Sequence, residues 1–152
     1  MSTKLQIDIQ YASSAIEAAI SNVASNNILK KWVKVSTSKS GFITIRFVNA
    51  AEAKKMNAAY RNRDKPTNVL TFSYALDKAS LNADIVLCLP VIQKEAKEQG
   101  KDMQSHLAHL LIHGCLHAQG YDHEIPKQAE KMEALEIRLL KGLSFANPYT
   151  PQ

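Results

Sequence analysis

The chain has few of the residues that mark several protein classes. It carries only two cysteines, Cys88 and Cys115, in apolar stretches, so we expect two buried thiols and no disulfide framework. No apolar run approaches the ~18 residues that cross a bilayer, and the opening MSTKLQIDIQ has no apolar stretch after its lysine. Internal repeats, low-complexity tracts and linkers are also missing. These absences predict a single soluble domain over residues 1–152, by default in the cytoplasm.

The charge balance is mildly basic, with a formal net charge of +5 and a pI of about 9.2. Such an excess permits an anionic partner such as RNA without requiring one. The basic side chains form three clusters, which are Lys30–Lys31 with Lys34, Lys54–Lys55, and Arg61 with Arg63 and Lys65. For the first two clusters we favour an ordinary solvated surface.

Hydrophobic periodicity and capping residues predict an α+β domain with a mixed four- to five-stranded sheet and about five helices. The predicted strands cover Leu5–Ile9, Phe42–Val48, Asn68–Tyr74 and Asp84–Leu89. The predicted helices run from Ser13 or Ser14 to about Lys31, from Asn49 to Arg61, from Pro90 to Gly100, from Met103 to Gln119 after an Asp102 cap, and from Pro126 to Gly142.

All five histidines fall between residues 106 and 123. His113 and His117 are four apart, so on a helix they project from one face at a separation that one metal ion can bridge. Gly120 lets the chain leave the helix and turn, which brings His123 back as a third ligand. This spacing arises by chance with a probability of roughly 0.005. Three histidines that leave a fourth position for water are typical of a catalytic zinc site on a long central helix.

Two further residues near this motif are candidates to support the ligands. His109 continues the histidine stripe, and Asp122 precedes His123. Metal-bound imidazoles need a partner for their second ring nitrogen, and either residue can supply one. For His106, near the start of the helix, we expect an ordinary surface or core role.

The spacing H-x3-H-x2-G-x2-H matches the metzincin metalloprotease motif, H-E-x-x-H-x-x-G-x-x-H. The protease uses the Glu after its first histidine as general base, and here that position is Gly114. Loss of a general base costs on the order of 10²–10⁴ in rate. The ligand spacing is therefore retained while peptidase chemistry is disfavoured.

The motif H-G-C-L-H-A-Q-G-Y-D-H resembles the signature H-G-x-L-H-x-x-G-Y-D-H of the YbeY family, bacterial rRNA maturation factors described as endoribonucleases. Met56–Phe72 is similar to the family's second motif, and Ala83-Asp84-Ile85 to its Gly-Asp-Ile element. The resemblance extends over nearly the whole chain, including the closing Pro148-Tyr149. Departures from the family pattern outside the metal motif are Thr71, Ser73 and Ala83, where Ser, Pro and Gly are usual.

The resemblance implies a zincin-like fold and one zinc ion per chain, held by His113, His117 and His123. It also implies that Arg61 is the family's catalytic arginine, which can hold a phosphate and stabilise transition-state charge. Arg63 and Lys65 follow in the same polar loop and are candidate RNA contacts. The implied activity is a zinc-dependent, single-strand-specific endoribonuclease in 16S rRNA 3′ end maturation and ribosome quality control. The implied partners are ribosomal RNA and the small ribosomal subunit, without membrane or DNA.

Two rival functions remain open from the residues alone. One is a non-enzymatic ribosome assembly factor whose metal only braces the fold, since no obvious general base lies beside the ligands. The other is a metallopeptidase, against which Gly114 argues. Cleavage of RNA or of unfolded protein, with and without chelator, distinguishes the three.

Overall fold

A computed structural model describes residues 4–61 and 67–150, without the side chains of residues 60 and 61. In chain order the elements are β1 (Leu5–Tyr11), α1 (Ser14–Ser21), α2 (Asn26–Val35), β2 (Ser40–Val48), α3 (Ala50–Arg61), β3 (Val69–Leu76), β4 (Ser80–Cys88), α4 (Leu89–Glu98), α5 (Met103–Ala118) and α6 (Pro126–Gly142). None of the helices in these ranges is long and apolar enough to span a membrane.

The four strands form one mixed sheet in the order β1-β2-β4-β3. β1, β2 and β4 are parallel, and β3 pairs antiparallel with β4 as an edge strand. Alternate residues of a strand face opposite sides of a sheet. Ile43, Ile45 and Ile85 accordingly lie in the large core with α1, α2 and α5, while Val48 and Val86 lie in a smaller apolar cluster with α3.

Helix α5 lies against β3 and β4, and Gly114 faces both strands. A Cβ atom at this position would lie 2.9 Å from Ile85 Cγ2 and 3.3 Å from Val69 Cγ2. Both methyl groups belong to stiff β-branched side chains, so only glycine fits without a shift of the helix or the sheet. This contact fixes α5 against the sheet and turns its histidine stripe away from it.

The predicted α+β class with a mixed sheet is confirmed, and the sheet has four strands among the described residues. The helices in the same ranges number six, because the single helix predicted from Ser13 or Ser14 to Lys31 is wrong. Helix α1 ends at Ser21, and Ser25 begins α2, where its hydroxyl accepts a hydrogen bond from the Ile28 N–H at 3.2 Å. Residues 21–27 are rich in Ser and Asn, which favour caps over helix interiors, so capping prevails over the apolar spacing.

Candidate metal centre

One face of α5 carries a stripe of histidines, and we call the space in front of this face the cleft. From His106 to Ala118 every residue is buried except His109, His113 and His117, which follow one another at intervals of four. This spacing keeps side chains on one face of a helix, one turn apart. The apolar residues between them pack into the core, so the three imidazoles are what this helix presents to the cleft.

A tight turn after α5 brings His123 to this stripe. Gly120 has φ +97°, a left-handed conformation that suits glycine, and its N–H donates to the His117 carbonyl at 3.0 Å. The ring centroid of His123 then lies 5.4 Å from that of His113 and 6.0 Å from that of His117. The centroids of His113 and His117 are 6.3 Å apart. The structure thus places the three predicted ligands side by side.

The separations of these rings are somewhat wider than one bound metal ion requires. Three imidazoles bound tetrahedrally to zinc through Nε2, with Zn–N bonds of about 2.05 Å, have ring centroids about 5.2 Å apart. The observed separations of 5.4, 6.0 and 6.3 Å are slightly wider, so small ring movements suffice. The donor set fits a zinc site with three nitrogen ligands.

The ring orientation of His113 is set by Glu136, a fully buried residue of α6. The Glu136 carboxylate lies 2.7 Å from His113 Nδ1 and 2.7 Å from His109 Nε2, and it also accepts a hydrogen bond from the Tyr149 hydroxyl. Burial raises the pKa of this carboxyl, but these hydrogen bonds outweigh burial and lower the pKa to about 2. Glu136 is therefore ionised and can only accept, so the neutral form of His113 carries its proton on Nδ1, which leaves the Nε2 lone pair for a metal.

The same logic fixes the tautomer of His117. Its Nδ1 lies 2.9 Å from the backbone carbonyl oxygen of Tyr121, which can only accept a hydrogen bond. The neutral form of His117 therefore carries its proton on Nδ1 and has its lone pair on Nε2. Two of the three predicted ligands thus favour the tautomer that coordination through Nε2 needs, with the partners that metal-binding histidines usually have.

Two other sets of possible metal ligands lie near the cleft, besides His113, His117 and His123. The nearest donor atoms of His109, His113 and Glu136 lie within 4.8 Å of one another, as do those of His117, Asp122 and His123, so each set is a possible metal site. Ligand atoms that share a tetrahedral zinc ion are about 3.3 Å apart, whereas the two His–Glu136 separations of 2.7 Å are hydrogen-bond lengths. We interpret the first set as a hydrogen-bonded support for His113.

The structure places both predicted supporting residues next to the cluster. His109 donates from Nε2 to Glu136 at 2.7 Å, so it contacts the same carboxylate as His113. The Asp122 carboxylate accepts a hydrogen bond from the backbone N–H of His123 at 2.7 Å. Its other oxygen has no hydrogen-bond partner in the part of the chain that the structure describes.

The basic residues predicted to act on RNA lie at the end of α3 and in the segment that follows it. Arg61 is the last residue of α3, and its side chain lies outside the described part of the chain, as do Arg63 and Lys65 entirely. The strand β3 begins at Val69, whose Cγ2 would lie 3.3 Å from a Cβ atom at position 114. Asn68 anchors the start of this strand, since its side-chain amide donates to Glu95 at 3.2 Å.

Glu136 and Tyr149 are the residues of this site that the sequence analysis missed. Glu136 lies between Met132 and Leu140 on one face of α6, with four residues from each to the next, and all three are buried. A carboxylate within an apolar helix stripe needs a buried partner, and that was the available signal. Tyr149 carries no comparable signal, because its contact depends on how the segment after α6 folds back.

Comparison with known proteins agrees with this geometry. The model of a family described as "Endoribonuclease YbeY" matches residues 2–144. A protein named endoribonuclease YbeY from Polynucleobacter asymbioticus is 60% identical over 147 residues, covering 97% of this chain and 95% of that protein. One of the same name from Herminiimonas arsenicoxydans is 48% identical over 153 residues, with 96% coverage of each.

A solved structure supports the fold. The solution structure of TM1509 from Thermotoga maritima has a TM-score of 0.57 with this chain and covers 95% of it and 99% of TM1509. At 23% identity this likeness shows the shared architecture alone.

Proposed function

This chain belongs to the endoribonuclease YbeY family, and we propose that it is a zinc-dependent enzyme that cuts single-stranded RNA in 16S rRNA 3′ end maturation and ribosome quality control. Membership in the family makes the chain an endoribonuclease, a hydrolase with RNA as its substrate. The observation that carries the zinc part of the proposal is the cluster of His113, His117 and His123. We further propose that residues 1–152 act as one domain, in the cytoplasm, on the small ribosomal subunit.

In this proposal His113, His117 and His123 would hold one zinc ion per chain. The chemistry that zinc supplies when bound is polarisation of a phosphoryl oxygen and activation of water at neutral pH. Zinc is the choice because three neutral imidazoles suit it well, although nickel and cobalt accept the same donors.

The remaining steps fall to the chain's own side chains. Glu136 keeps the His113 ring in position, and the Tyr121 carbonyl does the same for His117. We assign Asp122 to the positioning of His123, since its carboxylate accepts a hydrogen bond from the His123 backbone N–H at 2.7 Å. We assign Arg61 to the charge that builds on the phosphoryl oxygens, and Arg63 and Lys65 to the RNA backbone.

The environment of Gly114 argues against a peptidase. The protease motif places its general base at this position, yet here the position faces Ile85 and Val69 of the sheet. A glutamate there would have to displace packed β-branched side chains and would point away from the cleft. Position 114 therefore lacks both the base of the protease motif and the room for it.

A cleavage assay tests the proposal directly. Highly purified protein is given labelled single-stranded RNA or unfolded casein, with and without a chelator, beside a His117→Ala control that exposes contaminating nucleases. We expect chelator-sensitive cleavage of RNA alone and none by the variant. Digestion of casein with intact RNA contradicts the nuclease assignment, and support of ribosome assembly without cleavage favours the assembly-factor function.

A further inference from the structure

A cavity of about 400 Å³ lies beside the histidine cluster, between the end of α5, the turn that follows it, and α6. Its lining includes Lys39, Gln119, Tyr121, Asp122 and Lys131. Small-molecule sites commonly have volumes of about 300–1,000 Å³, and one nucleotide is an occupant of this size.

The cavity shares a wall with the candidate metal centre. Tyr121 lines the cavity, and its carbonyl oxygen accepts the hydrogen bond from His117 Nδ1 at 2.9 Å. Asp122 also lines it and holds the backbone N–H of His123 at 2.7 Å. An RNA strand bound with its scissile phosphate at the histidines would bring a neighbouring nucleotide to this cavity.

The cationic groups of the cavity suit a phosphate. The Lys39 ammonium is held by the backbone carbonyls of Asp77 at 2.6 Å and Lys78 at 3.0 Å, which fix its position. Lys131, on α6, has no ion-pair partner within residues 4–61 and 67–150. Two lysines, one just before β2 and one on α6, thus supply positive charge at one cavity, as backbone-binding grooves do.

The polar groups of the cavity suit one edge of a base. The Gln119 amide nitrogen donates to the carbonyls of Ser36 at 2.8 Å and Cys115 at 2.9 Å, so both of its N–H bonds are used. Its amide orientation is thereby fixed, and the side-chain oxygen remains as an acceptor. Asp122 offers a second acceptor, whereas an exocyclic amino group on a base is a donor.

From these observations we propose that this cavity is a subsite for the nucleotide next to the scissile phosphate, and that it prefers a base with an exocyclic amino group. Lys39 and Lys131 bind the phosphate, and Gln119 and Asp122 accept from the amino group. The proposal rests on the proposed function, because it places the RNA strand at the histidine cluster.

Binding measured without catalysis tests this subsite independently of cleavage. Metal-free protein is titrated against short fluorescent oligocytidylate and oligouridylate, since cytosine carries an amino group where uracil carries a carbonyl. We expect tighter binding of oligocytidylate. Lys131→Ala should weaken its binding about two- to fivefold and reduce the slope of log affinity against log salt by about 0.7, the contribution of one phosphate contact.

The matched control is Lys141→Ala, the same substitution on the same helix about 15 Å from Lys131. It should leave affinity and salt slope unchanged, and Lys131→Arg should restore both. Identical salt slopes for Lys131→Ala and Lys141→Ala would overturn the subsite. Equal affinity for oligocytidylate and oligouridylate would overturn its base preference. A Lys131 effect in a protein that cuts no RNA would leave the subsite standing and refute the nuclease proposal instead.

Discussion

Replacing Glu136 by glutamine tests how the buried network supports the metal ligands. The wild-type carboxylate is fully buried and accepts hydrogen bonds from His109, His113 and Tyr149. A glutamine has the same shape but offers one acceptor oxygen and one donating amide group. If its oxygen serves His109 and Tyr149, its amide group faces the His113 Nδ1 proton. His113 must then move that proton to Nε2, the nitrogen that coordination requires to be free.

The size of the effect follows from these contacts. Loss of a carboxylate that orients a metal-binding histidine typically weakens metal affinity about 10- to 100-fold, or about 1.4 to 2.8 kcal/mol. The metal-free fold should lose about 1–3 kcal/mol, because one buried donor loses its acceptor. The variant should therefore still fold but bind zinc measurably less tightly.

Competition for zinc against a chromophoric chelator at neutral pH gives the affinity, and thermal melting of the metal-free protein gives the stability. The control is Glu130→Gln, the same change at an exposed position of the same helix, which should leave both unchanged. A folded Glu136→Gln protein with wild-type zinc affinity would refute the role given to this carboxylate.

Three further substitutions test other parts of the account. Gly114→Ala should destabilise the protein by about 1 kcal/mol, because overpacking against Ile85 at 2.9 Å outweighs the higher helix propensity of alanine; a higher melting temperature would contradict this. Burial lowers the pKa of His106 in the folded protein below its usual 6.5. As the pH drops below 6.5, the unfolded chain therefore binds a proton at His106 before the folded protein does, and the free energy of unfolding falls. Urea unfolding between about pH 7 and 5 should show a weaker pH dependence in His106→Asn, and an unchanged dependence would remove His106 as a cause. Arg61→Ala should keep fold and zinc but lower single-turnover cleavage by about 10²–10³, with little recovery in Arg61→Lys; wild-type turnover would exclude Arg61 from the mechanism.

Local rules predicted much of the fold and all three residues of the histidine cluster. Asp102 caps α5 by accepting from the Ser105 N–H at 3.3 Å, and Asn49 caps α3 by accepting from the Glu52 N–H at 2.8 Å. The i, i+4 histidines and the left-handed Gly120 act within one helix end, so spacing alone was enough to place His123 near them. Short-range geometry of this kind can be read from a sequence.

Contacts between distant segments were not predictable in the same way. Glu136 reaches His113 from 23 residues away, and Tyr149 reaches His109 from 40 residues away. Both contacts depend on how α6 and the segment after it pack against α5, which periodicity does not specify. The proximity of Gly114 to Ile85 also depends on how distant segments pack. The sequence therefore showed that position 114 has no general base, but it could not show that the sheet leaves no room for one.

Zinc titration of single histidine variants tests the central claim most directly. Metal-free His109→Ala, His117→Ala and His123→Ala proteins are each titrated with zinc, and bound metal is measured by elemental analysis after removal of free ions. We predict one equivalent of zinc in the wild type and in His109→Ala, with weaker binding in the latter, and no stoichiometric zinc in His117→Ala or His123→Ala. Stoichiometric zinc in His117→Ala and His123→Ala, together with its loss in His109→Ala, would contradict the account and place the metal on His109, His113 and Glu136.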